Sequence, residues 1–238
     1  TEEEYIDQSI KEFHDFFIET VAPENVACVV MEPVQGEVGF IIPPKRFFEA
    51  VVKFCKENGI VFVADEIQTG FGRTGKMFAS EHFAIEPDLM TVSKSLAAGL
   101  PLSGVVGKSE ILDAAEPGEL GGTFAGNPVA CAAALTVIDI VKEENLCEKA
   151  ENIGQKLEEV LKDFQNKNSF VGEVRRLGAM VAVEIVNDDK ENSPNKELTG
   201  KITNYANDNG LILLSAGIYG NVIRFLMPLV ITDDELDK

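Results

Sequence analysis

The sequence predicts an α/β domain followed by a smaller α+β domain, and three observations carry that prediction. Two unbroken apolar runs, 26–31 and 60–64, flank a stretch with helical spacing. Strand, helix and strand at that distance make a βαβ unit with parallel strands. Runs at 89–93 and 102–106 are only eight residues apart, too short a gap for a crossover helix, so the fourth strand is expected antiparallel to the third. Beyond residue 140 the pattern changes to short strands with one helix between them, which places a domain boundary there. The expected domains are 1–140, the final part of a larger domain, and 141–238.

Residues 6–19 carry Ile6, Ile10, Phe13, Phe16 and Phe17 at helical spacing. The apolar run 26–31 reads as a strand buried on both faces. Pro43-Pro44 opens a helix that Asn58-Gly59 closes. A Gly-rich loop fills 69–76, and a short helical stretch precedes the third strand. Asn127-Pro128, an N-cap followed by Pro at the first helical position, opens a helix over 128–143. A second helix, about 146–165, follows almost directly. The small domain reads as strand 180–186, a polar surface loop at 187–195, helix 196–208, and strands 210–214 and 222–226. Thr232-Asp233-Asp234-Glu235 is a capping box. With Thr1-Glu2-Glu3-Glu4 at the start, it suggests a fragment of a longer protein.

Composition narrows the function. The chain has 238 residues, 45% hydrophobic and 26% charged, which is globular usage. Its net charge is −19, and neither half is basic, so a nucleic-acid partner is not expected. No apolar run is long enough for a membrane-spanning helix. Four cysteines without a CxxC pair, beside only two histidines, give no zinc pattern. They read as free thiols in a reducing cytoplasm.

Gly70, Gly72 and Gly75 match GxGxxG, and Gly70 with Gly75-Lys76 matches the start of a P-loop. Both matches are partial. Met77 stands where a P-loop needs Ser or Thr, and five residues separate Ala64 from Gly70 where a dinucleotide turn follows its strand directly. Asp65-Glu66 after 61–64 resembles a magnesium-holding strand end, but it precedes the loop. The plain reading is a surface or interface loop.

Asp65 sits at the carboxyl end of a buried parallel strand, where open α/β sheets place ligands. Lys94 closes the next strand. Burial there disfavours a charged amine, and a desolvated lysine can attack a carbonyl; alone, the segment favours a lysine reaching out to solvent. As a pair they suit pyridoxal 5'-phosphate, which needs a lysine for its aldehyde and a carboxylate to keep its ring nitrogen protonated. Glu32 follows the first buried strand, and Arg224 lies inside an apolar strand of the small domain. A charge in such company needs a partner, which for each of them could equally be a structural ion pair.

Four segments stand in order: Glu32-Pro33-Val34-Gln35-Gly36-Glu37; Asp65-Glu66-Ile67-Gln68-Thr69-Gly70-Phe71-Gly72-Arg73-Thr74-Gly75; Ser93-Lys94-Ser95; and Gly121-Gly122-Thr123-Phe124-Ala125-Gly126-Asn127-Pro128. Together they resemble the class III (omega-amino) aminotransferases. Residues 177–184, 210–215 and 219–224 resemble family members acting on 4-aminobutyrate. The similarity runs from about residue 25 to the end.

The resemblance implies a fold-type I pyridoxal-phosphate transferase, of which this chain holds part of the large mixed-sheet domain and the small domain. It implies that Lys94 binds the cofactor aldehyde and shuttles the substrate proton. Asp65 would pair with the ring nitrogen, Gln68 would reach the ring hydroxyl, and Ile67 would pack on the ring face. Thr123 would hold the phosphate of the neighbouring subunit, giving a homodimer with shared active sites. Arg224 would bind the α-carboxylate of glutamate or 2-oxoglutarate, and Glu32 would neutralise Arg224 when an ω-amine occupies the site. The implied reaction is ping-pong transfer from 4-aminobutyrate or a similar ω-amine to 2-oxoglutarate, giving succinate semialdehyde and glutamate. Ornithine, acetylornithine and 5-aminovalerate are the rival substrates, and an inactive remnant is the rival from another class. The family's N-terminal phosphate-cradling loop and ring-stacking aromatic have no counterpart in the sequence, so these residues alone are expected to bind the cofactor weakly and turn over slowly or not at all.

Overall fold

A computed structural model describes residues 1–188 and 191–237. It divides into two compact units: Thr1–Pro33, Pro43–Gly70 and Phe78–Asp139 form one, while Val34–Ile42, Phe71–Met77 and residues from 140 onward form the other. The units are not contiguous in sequence. Two short loops of the first 140 residues belong with the later part of the chain.

The first unit opens with helix α1 (Glu2–Glu19), which starts before the apolar periodicity because Thr1 and Glu4 form a capping box. Strand β1 (Cys28–Met31) follows, then α2 (Lys45–Asn58), β2 (Val61–Asp65), the short α3 (Ser80–Phe83), β3 (Leu89–Val92), β4 (Gly104–Gly107) and the short α4 (Ser109–Leu112). The strands form one sheet in the order β1-β2-β3-β4, with the first three parallel and β4 antiparallel. That matches the expected βαβ unit and the short return after β3. Helix α2 ends at Gly59, whose φ of 68° is a left-handed conformation that suits glycine. Its Phe54 meets Phe13 and Phe17 of α1 at ring-centroid distances of 5.3 and 4.5 Å. On its other side Phe48 meets Phe62 of β2 at 5.7 Å and stacks on Phe83 at 4.7 Å.

β1 corrects one expectation. It is the sheet's edge, and Val30 is 59% exposed, whereas the central strand β2 buries Phe62, Val63 and Ala64. An apolar run reports β propensity; burial on both faces also requires neighbouring layers.

Helix α5 (Pro128–Glu143) begins in the first unit, and α6 (Leu146–Gln165) belongs to the second. There β5 (Val171–Leu177), β6 (Met180–Ile185), α7 (Lys196–Asp208), β7 (Leu214–Ala216), β8 (Val222–Phe225) and the short α8 (Asp233–Leu236) follow. The strands form an antiparallel sheet in the order β5-β6-β8-β7. One face packs Met180, Ala182 and Val222 against Val34 and Phe40 from the 34–42 loop. The other packs Val171, Val183, Ile185 and Ile223. Gly178, at φ 55° in the β5–β6 turn, lies against Thr74 and Gly75, where a Cβ would overlap their backbone.

The second unit departs from expectation in two places. β5 was not anticipated, because Glu173, Arg175 and Arg176 interrupt its apolar pattern. β7 covers 214–216 and not 210–214; Leu211 and Ile212 are exposed. The polar stretch 187–195 was expected as a surface loop, and its residues 189 and 190 lie outside the described residues. Among the described residues, no helix is long and apolar enough to cross a membrane.

Candidate active site

Parallel pairing of β2 and β3 sets Asp65 opposite Thr91, so both strands end at the same edge of the sheet. Asp65 Oδ1 accepts hydrogen bonds from Thr91 Oγ1 at 3.1 Å and from the Ile67 amide at 3.0 Å. Both donors sit on one oxygen, which fixes the carboxylate plane and keeps Oδ2 for a further donor. Three residues past Thr91, Lys94 opens a single 3-10 turn, Lys94–Ala97. Its φ is 46°, a left-handed conformation uncommon for a residue with a side chain, and such backbone strain concentrates at functional sites. Of the two readings of this segment, the lysine reaching out to solvent is the one observed, since the Lys94 side chain is exposed. The strand ends at Val92, and the turn then carries the lysine out of the apolar layer. Among the described residues its Nζ has no ion-pair partner.

Between these two residues runs the turn 65–70, and Glu66 anchors it. Glu66 is completely buried, and among the described residues no cation forms an ion pair with it. Its Oε1 accepts from the Ser80 amide at 2.7 Å and Ser80 Oγ at 2.6 Å. Its Oε2 accepts from the Ala79 amide at 2.9 Å and from Thr69 Oγ1. Four donors replace the water a buried carboxylate loses. The sequence shows Glu66 only as half of an Asp65-Glu66 strand end, because an acid beside another acid carries no signature of burial. Ile67 and Gln68, half-buried in this turn, are held by the same anchor.

Thr123 lies exposed in the 121–126 turn of the first unit, and no hydrogen bond among the described residues links it to Asp65 or Lys94. Glu32 follows β1 in the same unit and is half-buried. A cleft of about 710 Å³ opens at the other end of β2, lined by Cys55, Ile60, Phe62, Asp88 and Lys108. It is away from Asp65, and the site chemistry takes precedence over its size.

The second unit holds Arg224, which is 7% exposed on β8. Its Nη1 donates to Glu37 Oε1 and to the Gly36 carbonyl, both at 3.0 Å, and Nη2 reaches Glu37 Oε2 at 3.4 Å. The guanidinium also stands 5.5 Å from the centre of the Phe40 ring. The carboxylate on Arg224 is thus Glu37, a residue of the quoted Glu32–Glu37 motif to which the sequence reading gave no role. Glu37 is 72% exposed, so one end of the ion pair is buried and the other faces solvent.

In the Gly-rich loop, the Phe71 amide donates to the Met77 carbonyl at 2.7 Å and the Gly75 amide to Gly72 at 3.0 Å. Amides spent inside the loop do not cradle a phosphate. Arg73 is bound to the Met227 carbonyl at 2.7 Å, and burial pulls its pKa below the ordinary arginine value. From Phe71 onward the loop is a structural part of the second unit.

Residues 1–238 match the family model described as aminotransferase class-III. The chain belongs to the class III aminotransferases. It is 62% identical over its whole length to a probable 4-aminobutyrate aminotransferase of Bacillus subtilis, covering 55% of that relative. It is 47% identical, over 98% of its length, to a 5-aminovalerate aminotransferase of Pseudomonas aeruginosa, covering 54% of it. Among solved structures, an amine transaminase from an uncultivated Pseudomonas species in its PLP-bound form superposes with a TM-score of 0.89 at 32% identity, over 98% of this chain and 54% of that one. The chain therefore spans about half the length of the relatives it matches. For a class III aminotransferase the cofactor is pyridoxal 5'-phosphate. The residues present fit it: a carboxylate oriented by the Thr91 hydroxyl and the Ile67 amide, and an exposed amine that has no ion-pair partner among the described residues, lie at one end of the sheet.

Proposed function

We propose that the protein containing this chain transfers the amino group of 4-aminobutyrate, or a similar ω-amine, to 2-oxoglutarate, giving succinate semialdehyde and glutamate. The observation that carries this reading is the Arg224–Glu37 pair. A transaminase of this kind must accept two unlike amines in one pocket. Glutamate brings an α-carboxylate that needs a cation, whereas an ω-amine brings none. A buried guanidinium left bare would be costly, and a bidentate fork is the geometry that binds a carboxylate. Glu37, whose side chain is mostly solvated, can cover Arg224 in one half-reaction and yield to the α-carboxylate in the other. We accordingly assign to Glu37 the neutralising role first expected of Glu32, and keep Glu32 as a pocket residue.

The cofactor, when bound, supplies an aldehyde to capture the amine and a protonated ring that withdraws electrons. The Asp65 carboxylate would keep the proton on the ring nitrogen. Lys94 Nζ would hold the cofactor and, once released, would shuttle the proton between the substrate's amine-bearing carbon and the cofactor carbon. Ile67 would pack on the ring face and Gln68 would reach the ring hydroxyl. Thr123 serves the phosphate of a neighbouring subunit, which makes the working form a homodimer with shared active sites. Amino and oxo acids are the small-molecule partners, and the setting is cytoplasmic. The 47% identity to a 5-aminovalerate aminotransferase supports that amine as the second candidate.

The test is to load the full-length protein with cofactor and follow its absorbance on adding 4-aminobutyrate, 5-aminovalerate or ornithine. Conversion fastest with 4-aminobutyrate, with succinate semialdehyde as product, is expected. Faster conversion with ornithine would remove the substrate assignment, and no conversion with any amine would remove the activity.

A further inference from the structure

We propose that Arg175 is a positioning residue that holds the 36–40 loop so that Glu37 closes on Arg224; this deepens the reading above and rests on it. Cross-strand register places Arg175 of β5 opposite Ala182 of β6, and Ala182 opposite Arg224 of β8. Residues in register across a sheet share a face, so both guanidinium groups rise on the same side, about 10 Å apart at the backbone. Ala182 between them leaves room, and Phe40 packs into it.

The loop is a small hairpin closed at its base by Gln35 and Ile41, whose amides bond each other's carbonyls at 2.9 and 3.2 Å. Arg224 takes one end of its tip through Gly36. Arg175 takes the other, its Nε donating to the Gly39 carbonyl at 2.8 Å. The Gly217 amide bonds the Glu37 carbonyl at 3.1 Å, which pins the residue's backbone between them.

The two arginines differ in how their charge is met. Arg175 Nη1 lies 2.7 Å from both Glu173 and Glu184, carboxylates of its own sheet. With two acids on it, Arg175 has no electrostatic call for a substrate carboxylate, and its orientation is set from behind. Arg224 pairs with Glu37, an acid that comes from the loop. Arg175 is thus a fixed clamp and Arg224 an exchangeable partner. The approach is close. At Gly39, φ is 105°, and a Cβ would lie 3.1 Å from Arg175 Nη2, a buried atom with no hydrogen-bond partner among the described residues.

The experiment uses the full-length protein with its cofactor and the variants Arg175→Met, Arg175→Lys, Glu37→Gln and Arg175→Met with Glu37→Gln. Each half-reaction is followed separately by cofactor absorbance, and amide exchange of 34–42 is measured without substrate. Arg175→Met should speed exchange at Gly39 and Ile41 and lower kcat/KM for the ω-amine about tenfold. The value for glutamate, which needs Glu37 displaced, should move less than about twofold. Arg175→Lys keeps a donor for the Gly39 carbonyl and should recover most of the loss. In the Glu37→Gln background Arg175→Met should have no further effect. Equal losses on both substrates, or an undiminished effect in that background, would overturn the proposal. If the unmodified protein converts neither substrate, the transaminase reading falls, and exchange still decides the clamp: unchanged protection at Gly39 and Ile41 in both Arg175 variants sinks it.

Discussion

Arg175 and Arg224 stand two strands apart on one face of the second sheet, with Ala182 in register between them. Each reaches a different carbonyl of the same loop, Gly39 and Gly36. Two buried cations therefore fix a segment that lies more than a hundred positions upstream of either. Because only Arg224 depends on that segment for its counter-charge, substitutions at the two positions should behave differently.

Arg224→Lys keeps the charge and loses the fork. Bidentate carboxylate recognition is lost with it, so the KM for 2-oxoglutarate should rise by about 10- to 100-fold, with a smaller change in kcat. Steady-state kinetics with 2-oxoglutarate varied at saturating amine measure this. An unchanged KM would mean that the α-carboxylate binds elsewhere.

Glu66→Gln tests the buried anchor behind the Asp65 turn. The amide keeps one acceptor oxygen for the donors of Thr69, Ala79 and Ser80 and adds a buried N–H pair of its own. Losing charge-assisted bonds in a dry site should cost roughly 2–3 kcal/mol in urea unfolding. A loss below about 0.5 kcal/mol would show that the turn holds itself.

Gly39→Ala places a methyl group where φ is 105° and Val222 Cγ1 would be 2.8 Å away. Strain and overlap together should destabilise the second unit by about 1–3 kcal/mol and push the loop off the sheet. Thermal unfolding reads the first effect. The second should appear as the same selective loss on the ω-amine expected for Arg175→Met, whereas a uniform loss on both substrates would speak against it.

Cys55 gives a pH dependence. Burial pushes its thiol up to about 11. Between the ordinary thiol range near 8.5 and that value, the unfolded chain releases a proton that the folded chain keeps, so the folded state loses stability as pH rises through this window. Urea midpoints at about pH 8 and about pH 10 should fall further for the native sequence than for Cys55→Ala. Parallel falls would place the cause in another group.

Much of the first unit was legible because its signals are local. Apolar runs, the Pro43-Pro44 opening, the Gly59 cap and the short gap before β4 each follow from a few adjacent residues. Asp65 and Lys94 were legible as strand-end residues, and the structure adds what holds them: the Thr91 hydroxyl, the Ile67 amide and a left-handed turn. What escaped depends on distant partners. β5 was hidden because Arg175 and Arg176 break its pattern, and their burial is tolerable only beside Glu173, Glu184, Glu151 and Glu158. The role of Glu37 was hidden for the same reason. Glu32 and Glu37 look alike as letters, and only the return of the loop onto β8 separates them.

That return also sets an order of events during folding. Val34 and Phe40, both fully buried, complete the face formed by Met180, Ala182 and Val222. The second sheet cannot finish its core from residues 140–238 alone; it must capture a hairpin made early in the chain. Closing so long a loop is entropically demanding and slow. Until it closes, an apolar sheet face that carries Arg224 without its Glu37 carboxylate stays open to water and to other chains.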